Sequence, residues 1–289
     1  MQPAWLALAL VACSSPPPGP SDGAAPLDQG PVPDGSAGSN GSDGSIDGAV
    51  TGVRLPPDNA GLDYQLGGAY PPPAGVGIVS RDRLDAPAAG LYNVCYVNGF
   101  QIQPGDEAMW QSAHPSVVLV DGAGHPVIDT AWNETLLDTS SAAKRTEILA
   151  VIGPWIDGCA HDGFDAVEID NLDSYSRSTG LLTTDDNVAM IALFAARAHG
   201  HGLAIAQKNA SELVARRTDM GTDFVVAEEC NRYTECDAYT SGYGTHVLMI
   251  EYRRADFTAG CASYPNNSIV LRDQNLVPAG TSGYLYDGC

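Results

Sequence analysis

The sequence predicts a (β/α)8 TIM-type barrel, and three observations support this fold class. Eight short runs rich in β-branched, aromatic and other apolar residues follow one another after about residue 56. Several of these runs are separated by stretches with helical periodicity, and strands that alternate with helices build a parallel sheet. The chain of 289 residues is also long enough for one barrel-sized domain.

The residues before this domain carry signals of export. The apolar run within residues 1–13 is too short to span a bilayer and resembles the hydrophobic region of a secretory signal. It closes on Leu10-Val11-Ala12-Cys13, which resembles a bacterial lipobox and makes Cys13 the predicted lipidation site, although no Lys or Arg precedes it. We therefore expect a bacterial cell-envelope lipoprotein that touches the membrane through its lipid anchor only. Plain secretion to the extracellular space is the alternative.

Residues 14–55 are predicted to be a disordered linker. They consist mostly of Ser, Gly, Pro, Ala and Asp, and they cannot bury enough apolar surface to offset the entropy lost on ordering. Residues 56–289 then form the predicted barrel domain, which we expect to be a monomer.

Six cysteines follow Cys13, and an even number on an exported chain predicts disulfides. Many pairings are open to six cysteines. Proximity in sequence favours Cys230 with Cys236 and Cys261 with Cys289, which leaves Cys95 with Cys159. No pair has the short spacing of a zinc site, so the sequence predicts neither a metal nor another cofactor.

The chain is strongly acidic, with a formal net charge of -21. Such a surface repels nucleic acid and would attract a cationic substrate, although solubility alone also explains it. The absence of a Gly-rich phosphate loop argues against nucleotide chemistry.

The predicted strands begin with an irregular unit. Residues 67–75, with three consecutive prolines, are too few for a crossover helix between the first two strands. The eight predicted strands are residues 62–66, 76–80, 91–97, 166–170, 203–208, 224–228, 246–251 and 269–273.

Two helices are predicted between the later strands. One runs from about Ser141, and Pro154 is expected to kink or split it because proline lacks the amide proton of the helix ladder. The other has Thr184 as its predicted N-cap and ends near Gly200.

Acids stand where two of the predicted strands end, at Asp170 and at Glu228. In a parallel barrel these ends meet at one face, and paired carboxylates there are what glycosidase chemistry requires. Strand alternation places Glu168 on the same face as Asp170, where it could instead pair with Lys208. Carboxylates, amides and tyrosines at such a rim can hold sugar hydroxyls, and the acids can also pair with an amino group. The predicted substrate-binding residues are Tyr64, Gln65, Glu168, Asn171, Asp173, Lys208, Asn209, Glu251 and Tyr252.

Six ordered motifs at these strand ends resemble glycoside hydrolase family 114, the endo-α-1,4-polygalactosaminidases. They cover residues 63–68, 95–99, 163–175, 202–209, 227–236 and 250–252. The resemblance implies a (β/α)8 barrel that hydrolyses a cationic, α-1,4-linked, galactosamine-rich polysaccharide. One departure is Asp63, since the family usually has a tryptophan at that position. Trp110 and Trp132 are also spaced differently from the tryptophans that the family often carries after the third strand.

The resemblance also implies roles for the two acids. Asp170 is the implied nucleophile and Glu228 the implied acid/base of a retaining mechanism, in which the two carboxyl groups lie about 5 Å apart. Two alternatives stay open, namely a barrel glycosidase that acts on a different polysaccharide and a non-catalytic surface lipoprotein that binds polysaccharide.

Overall fold

The computed structural model describes residues 52–289, and these residues fold around one nine-stranded sheet. Its strands are ordered β1-β2-β3-β7-β8-β9-β10-β11-β12, with parallel pairing throughout except for the antiparallel β11–β12 pair. They are β1 Gly61–Gln65, β2 Val76–Asp82, β3 Tyr92–Asn98, β7 Ala166–Asp170, β8 Ala204–Lys208, β9 Phe224–Glu228, β10 Val247–Glu251, β11 Ser268–Arg272 and β12 Tyr286–Gly288.

The sheet curves until its first strand lies beside β11, so the predicted barrel is confirmed. Side chains join the two strands at this seam. The guanidinium of Arg272 on β11 lies 3.0 Å from a carboxylate oxygen of Asp63 on β1, and both side chains are fully buried. The same guanidinium donates to the carbonyl oxygen of Tyr64.

Helices cover only part of the barrel. Their bounds are α1 Glu107–Ala113, α2 Ala142–Asp162, α3 Thr184–Gly200, α4 Arg217–Met220, α5 Cys230–Tyr233, α6 Cys236–Tyr243 and α7 Arg254–Ser263. None lies between β1 and β2, as predicted, and none lies between β2 and β3 either. The barrel is therefore irregular over its first two connections.

The two predicted helices form with small differences. Ser141 caps α2 as expected, but α2 continues through Pro154 without being split, because its buried face packs against the sheet and α3. The N-cap of α3 is Thr183 rather than Thr184, and a reciprocal capping box with Asp186 selects it.

A long insertion separates β3 from β7 and adds a second sheet. Strands β4 (Gln101–Ile102), β5 (Ile128–Asp129) and β6 (Glu134–Leu136) form this small antiparallel sheet in the order β4-β6-β5. The insertion follows the carboxyl end of β3, so it stands at the barrel face where active sites form.

Three disulfides brace the domain with the predicted pairing. They join Cys95 to Cys159, Cys230 to Cys236, and Cys261 to Cys289. The predicted signal, Cys13 and nearly all of the predicted linker lie outside the described residues. Within residues 52–289, none of the helices has the length and apolar character that crossing a bilayer requires.

Breaking the seam is expected to destabilise the domain. Replacing Arg272 by methionine leaves the Asp63 carboxylate buried without its cation, and we expect the free energy of unfolding in urea to fall by roughly 3–5 kcal/mol. The exposed Arg254–Asp287 pair provides the control, since Arg254→Ala is expected to cost under about 1 kcal/mol. Equal losses for the two variants would contradict a structural role for the seam.

Candidate active site

A cleft of about 330 Å³ opens at the carboxyl ends of the barrel strands. It is bordered by the ends of β1, β3, β7, β8 and β9 and by the inserted sheet. Of the residues predicted for a site, it brings together Tyr64, Asn171, Lys208 and Tyr252 with the two acids Asp170 and Glu228.

The Lys208 ammonium is the centre of the cleft. Its nitrogen lies 2.8 Å from Glu168, 3.1 Å from Asp170 and 3.2 Å from Glu228, measured to carboxylate oxygens. It also donates to the Tyr64 hydroxyl at 3.0 Å. Burial lowers the pKa of an amine, but the surrounding carboxylates outweigh burial and raise the pKa of Lys208 well above its usual value. The lysine therefore stays charged.

Asp170 is held ionised at the end of β7. Burial alone would raise its pKa, but the Lys208 charge and the hydrogen bond from Tyr96 outweigh burial, so the pKa of Asp170 is lowered. The Tyr96 hydroxyl donates to Oδ2 at 2.7 Å, while Lys208 lies beside Oδ1. The Asp170 side chain is 21% exposed and faces the cleft. An ionised and reachable carboxylate can act as a nucleophile.

Glu228 stands on the other side of Lys208 and is 26% exposed. The Tyr252 hydroxyl donates a hydrogen bond to Oε1 of Glu228. The backbone N–H of Glu228 donates to the side-chain carbonyl oxygen of Asn209 at 2.8 Å. Two residues further on, the Cys230–Cys236 disulfide closes the loop that follows β9. The carboxylate is thus positioned from two neighbouring strand ends and from its own loop.

The turns after these strands are sharp. Asn171, Asn209 and Glu229 come directly after Asp170, Lys208 and Glu228, and each has a positive φ, between 47° and 66°. Asparagine adopts this left-handed conformation more readily than most residues, whereas Glu229 is strained by it, and strained residues of this kind cluster at functional sites. Each turn ends its strand abruptly, which leaves the last side chain at the rim of the cleft.

Glu168 lies beneath the cleft rather than in it. Its side chain is fully buried, accepts from the Tyr64 hydroxyl at 2.5 Å and from Ser80 at 3.0 Å, and pairs with Lys208. Burial raises its pKa despite the lysine. Pairing with Lys208, the alternative left open above, is therefore what the structure shows, and a bound sugar cannot reach Glu168.

Four further candidates lie outside the cleft lining. Gln65 and Glu251 are fully buried on the opposite strand face from Tyr64 and Tyr252, because neighbouring side chains alternate. Gln65 binds Asp63 and Arg81, whereas Glu251 accepts two hydrogen bonds from Asn231. The other two are Asn209, which accepts a hydrogen bond from the backbone N–H of Glu228, and Asp173, which forms a salt bridge with Arg177.

Asp63, which stands where the family usually has a tryptophan, does not line the cleft. Asp63 is fully buried at the barrel seam, where it binds Gln65, Tyr70 and Arg272. Trp132 does line the cleft, whereas Trp110 is buried in the core beside α2.

Sequence reasoning missed several lining residues. Tyr96 could have been found, because it follows Val94 by two residues and so shares its inward face. Glu134 lies in the insertion, where no strand pattern marks it, and Leu276 lies in the loop after β11.

A larger cavity of about 660 Å³ lies outside β1 and β2, where the crossover helices are missing. Prolines and alanines line most of it, and no carboxylate does. Its single charged lining group, Arg81, is already bound to Gln65 and to two backbone carbonyls. The cavity therefore carries no catalytic chemistry.

The barrel and its paired carboxylates define a barrel-type glycoside hydrolase. The sequence profile of Glycoside-hydrolase family GH114 matches residues 46–289, so the chain belongs to that family and the predicted resemblance is confirmed. No curated protein sequence is detectably similar to this chain.

Solved structures share the fold at low identity. The chain is similar to Ega3 of Aspergillus fumigatus in complex with galactosamine, with a TM-score of 0.66 and 22% identity over 83% of this chain and 99% of that one. It is also similar to the glycoside hydrolase domain of PelA from Pseudomonas aeruginosa, with a TM-score of 0.55 and 17% identity over 77% of this chain and 98% of that one.

Proposed function

We propose that this protein is an exported endo-glycosidase that cleaves α-1,4-linked, galactosamine-rich polysaccharide by a retaining double displacement. One observation carries the proposal: Asp170 and Glu228 share the Lys208 ammonium. Their distances of 3.1 Å and 3.2 Å from one nitrogen mean that these two oxygens lie no more than about 6.3 Å apart. Retaining pairs lie about 5 Å apart and inverting pairs roughly 6.5–9.5 Å apart, so an upper limit just below the inverting range supports retention.

The two acids divide the chemistry between them. Protonated Glu228 gives its proton to the leaving glycosidic oxygen while ionised Asp170 attacks the anomeric carbon, which forms a glycosyl ester on Asp170 and breaks the glycosidic bond. Glu228, now a carboxylate, takes a proton from water as the water oxygen attacks the same carbon. The ester breaks, Asp170 leaves ionised, and the sugar keeps its original anomeric configuration.

The charge of the cleft supports an amino-sugar substrate. Four carboxyl groups, those of Glu134, Glu168, Asp170 and Glu228, stand in or under the cleft, whose lining contains one cationic residue, Lys208. A polymer with free amino groups is a cation that this excess of acid attracts. The similarity to a structure that holds galactosamine agrees with this substrate class.

Export is proposed from the disulfides and the N-terminal signal. Three disulfides are typical of proteins that fold in an oxidising compartment. Residues 1–13 would direct the chain to the membrane, Cys13 would be its lipid anchor, and residues 14–55 would tether the barrel of residues 56–289 as a monomer.

Incubating the purified domain with partly deacetylated α-1,4-linked galactosamine polymer tests the activity. Mass spectrometry of the products should show short amino-sugar oligomers, and NMR of the first product formed should show the α-anomer. Polymer binding without new reducing ends would contradict the enzyme, and equal cleavage of a fully N-acetylated polymer would redirect the proposal to a different polysaccharide.

Tyr96→Phe is expected to move the acidic limb of the kcat/KM profile to higher pH by about one unit. The nucleophile must be ionised, and activity falls as pH falls through the lowered pKa of Asp170. Removing the Tyr96 hydroxyl raises that pKa, so the loss begins at a higher pH. The control is Tyr92→Phe on the same strand face, whose hydroxyl binds the Arg54 carbonyl at the other end of β3. If the pH profile of kcat/KM for Tyr96→Phe is the same as the profiles of wild type and of Tyr92→Phe, the assignment of Asp170 as the nucleophile is contradicted.

A further inference from the structure

One acid in the cleft takes no part in the chemistry described above. Glu134 begins β6 of the inserted sheet and lines the same cleft as Asp170 and Glu228. Its Oε2 accepts a hydrogen bond of 2.9 Å from the side-chain amide of Asn98. Asn98 is 2% exposed and is itself fixed by the Gln101 backbone and by Asn171. The carboxylate is therefore held in place by the barrel, although its own strand belongs to the insertion.

Glu134 makes no salt bridge within the described part of the chain, because the nearby Arg177 is paired with Asp129 and Asp173 instead. Among residues 52–289, no lysine, arginine or histidine forms a salt bridge with it, and its Oε1 makes no hydrogen bond. The lysine of the cleft is already shared by three other carboxylates. A half-buried acid placed in this way has capacity for one more cation.

A tryptophan stands beside this acid. Trp132 precedes Glu134 by two residues and lines the same cleft, yet 66% of the side chain is exposed. Asn133 between them has a positive φ of 57°, which marks the turn of the β5–β6 hairpin. An exposed indole face attracts an ammonium group through its π electrons and offers a flat apolar surface to a sugar ring.

We propose that Glu134 and Trp132 form an ammonium-binding subsite, which holds the free amino group of a substrate sugar adjacent to the one attacked by Asp170. This subsite makes the enzyme prefer deacetylated over N-acetylated polymer. The inference rests on the proposed function and adds to it the residues that bind the free amino group of the substrate. An N-acetyl group carries no charge, so its amide N–H can form only a weaker hydrogen bond, and no ion pair, with the Glu134 carboxylate.

The protonation of Glu134 agrees with this role. Burial raises its pKa to about 7, the Asn98 hydrogen bond and Arg177 lower it, and the charges of Asp170 and Asp129 raise it. An ammonium beside the carboxylate favours its charged form, so binding below pH 7 must release a proton. Asp170 keeps its charge over the same range because its own pKa is lowered. Binding of the amino polymer is therefore expected to weaken from pH 7 to pH 5.

Glu134→Gln tests the subsite with a nearly isosteric change. We expect kcat/KM for fully deacetylated polymer to fall roughly 10- to 100-fold, mainly through KM, with little change for N-acetylated polymer. The rise in KM from pH 7 to pH 5 should also become shallower. Trp132→Ala, which alters an exposed ring and not the core, should reduce the same preference.

Asp162→Asn is the matched control, because it removes one negative charge from an exposed position at the end of α2, away from the cleft. It should leave both polymers unaffected. Suppose that the wild-type enzyme cleaves the polymer and that Glu134→Gln and Trp132→Ala keep the wild-type preference for deacetylated polymer and the wild-type dependence of KM on pH. The subsite is then overturned while the proposed function stands. If wild type cleaves neither polymer, the proposed function itself fails.

Discussion

Replacing Asp170 by asparagine is expected to reduce hydrolysis by about 10⁴-fold or more, with the barrel still folded. The amide keeps the size of the carboxylate but cannot form the glycosyl ester, so the first step of the proposed mechanism is lost. Initial rates of reducing-end release from the amino polymer measure the effect.

Two comparisons make this result specific. Asp165→Asn removes a carboxylate at the opposite end of the same strand, where Asp165 binds the Asn93 backbone N–H at 2.8 Å and pairs with Arg54. Its activity should stay within a few-fold of wild type. Circular dichroism and thermal melting should show that Asp170→Asn is folded, and substantial turnover by a folded Asp170→Asn variant would remove Asp170 from the proposed role.

The second large effect is expected for Glu228→Ala, which removes the proposed acid and base together. We expect a loss of roughly 10²- to 10⁴-fold on the polymer, because the poor leaving group then departs without a proton. A substrate whose leaving group needs no protonation should still form the ester on Asp170, and the ester should accumulate because no base activates water.

Azide distinguishes this role from a general loss of structure. The anion is a nucleophile that needs no base and fits the space vacated by the side chain, so it should restore turnover and yield a glycosyl azide of retained configuration. The Asp170→Asn variant is the reference, because it forms no ester and should not recover with retention. Failure of azide to accelerate the Glu228→Ala variant on an activated substrate would count against Glu228 as the acid/base.

The principal strands were predictable because their signal is local. The predicted bounds of the strands that end at Asp170 and at Glu228 match those of β7 and β9, since each is an apolar run that stops at a carboxylate. Alternation also placed Glu168 and Asp170 on one face correctly. The irregular first connection was predictable because nine residues with three prolines leave no room for a helix.

The structure differs from the sequence-based predictions where the local sequence allowed more than one side-chain orientation or more than one helix start. Gln65 and Glu251 belong to motifs at strand ends, but each side chain points away from its neighbour in the cleft, so membership of a motif did not decide its face. Thr183 and Thr184 are both suitable N-caps, and the Asp186 side chain decides between them.

Composition, strand periodicity and motif order, which the sequence alone provides, determined the fold class, the family and the two acids proposed for catalysis. Only the tertiary structure decided that Lys208 joins those acids, that Arg272 and Asp63 seal the barrel, and that Glu134 enters the cleft from an insertion. The physical reason is that alternation and propensity act between neighbours in the chain. The contacts of Lys208, Arg272 and Glu134 join residues 36 to 209 positions apart, so they exist only in the folded chain, and the Arg272–Asp63 contact exists only where the first and last parallel strands of the barrel meet.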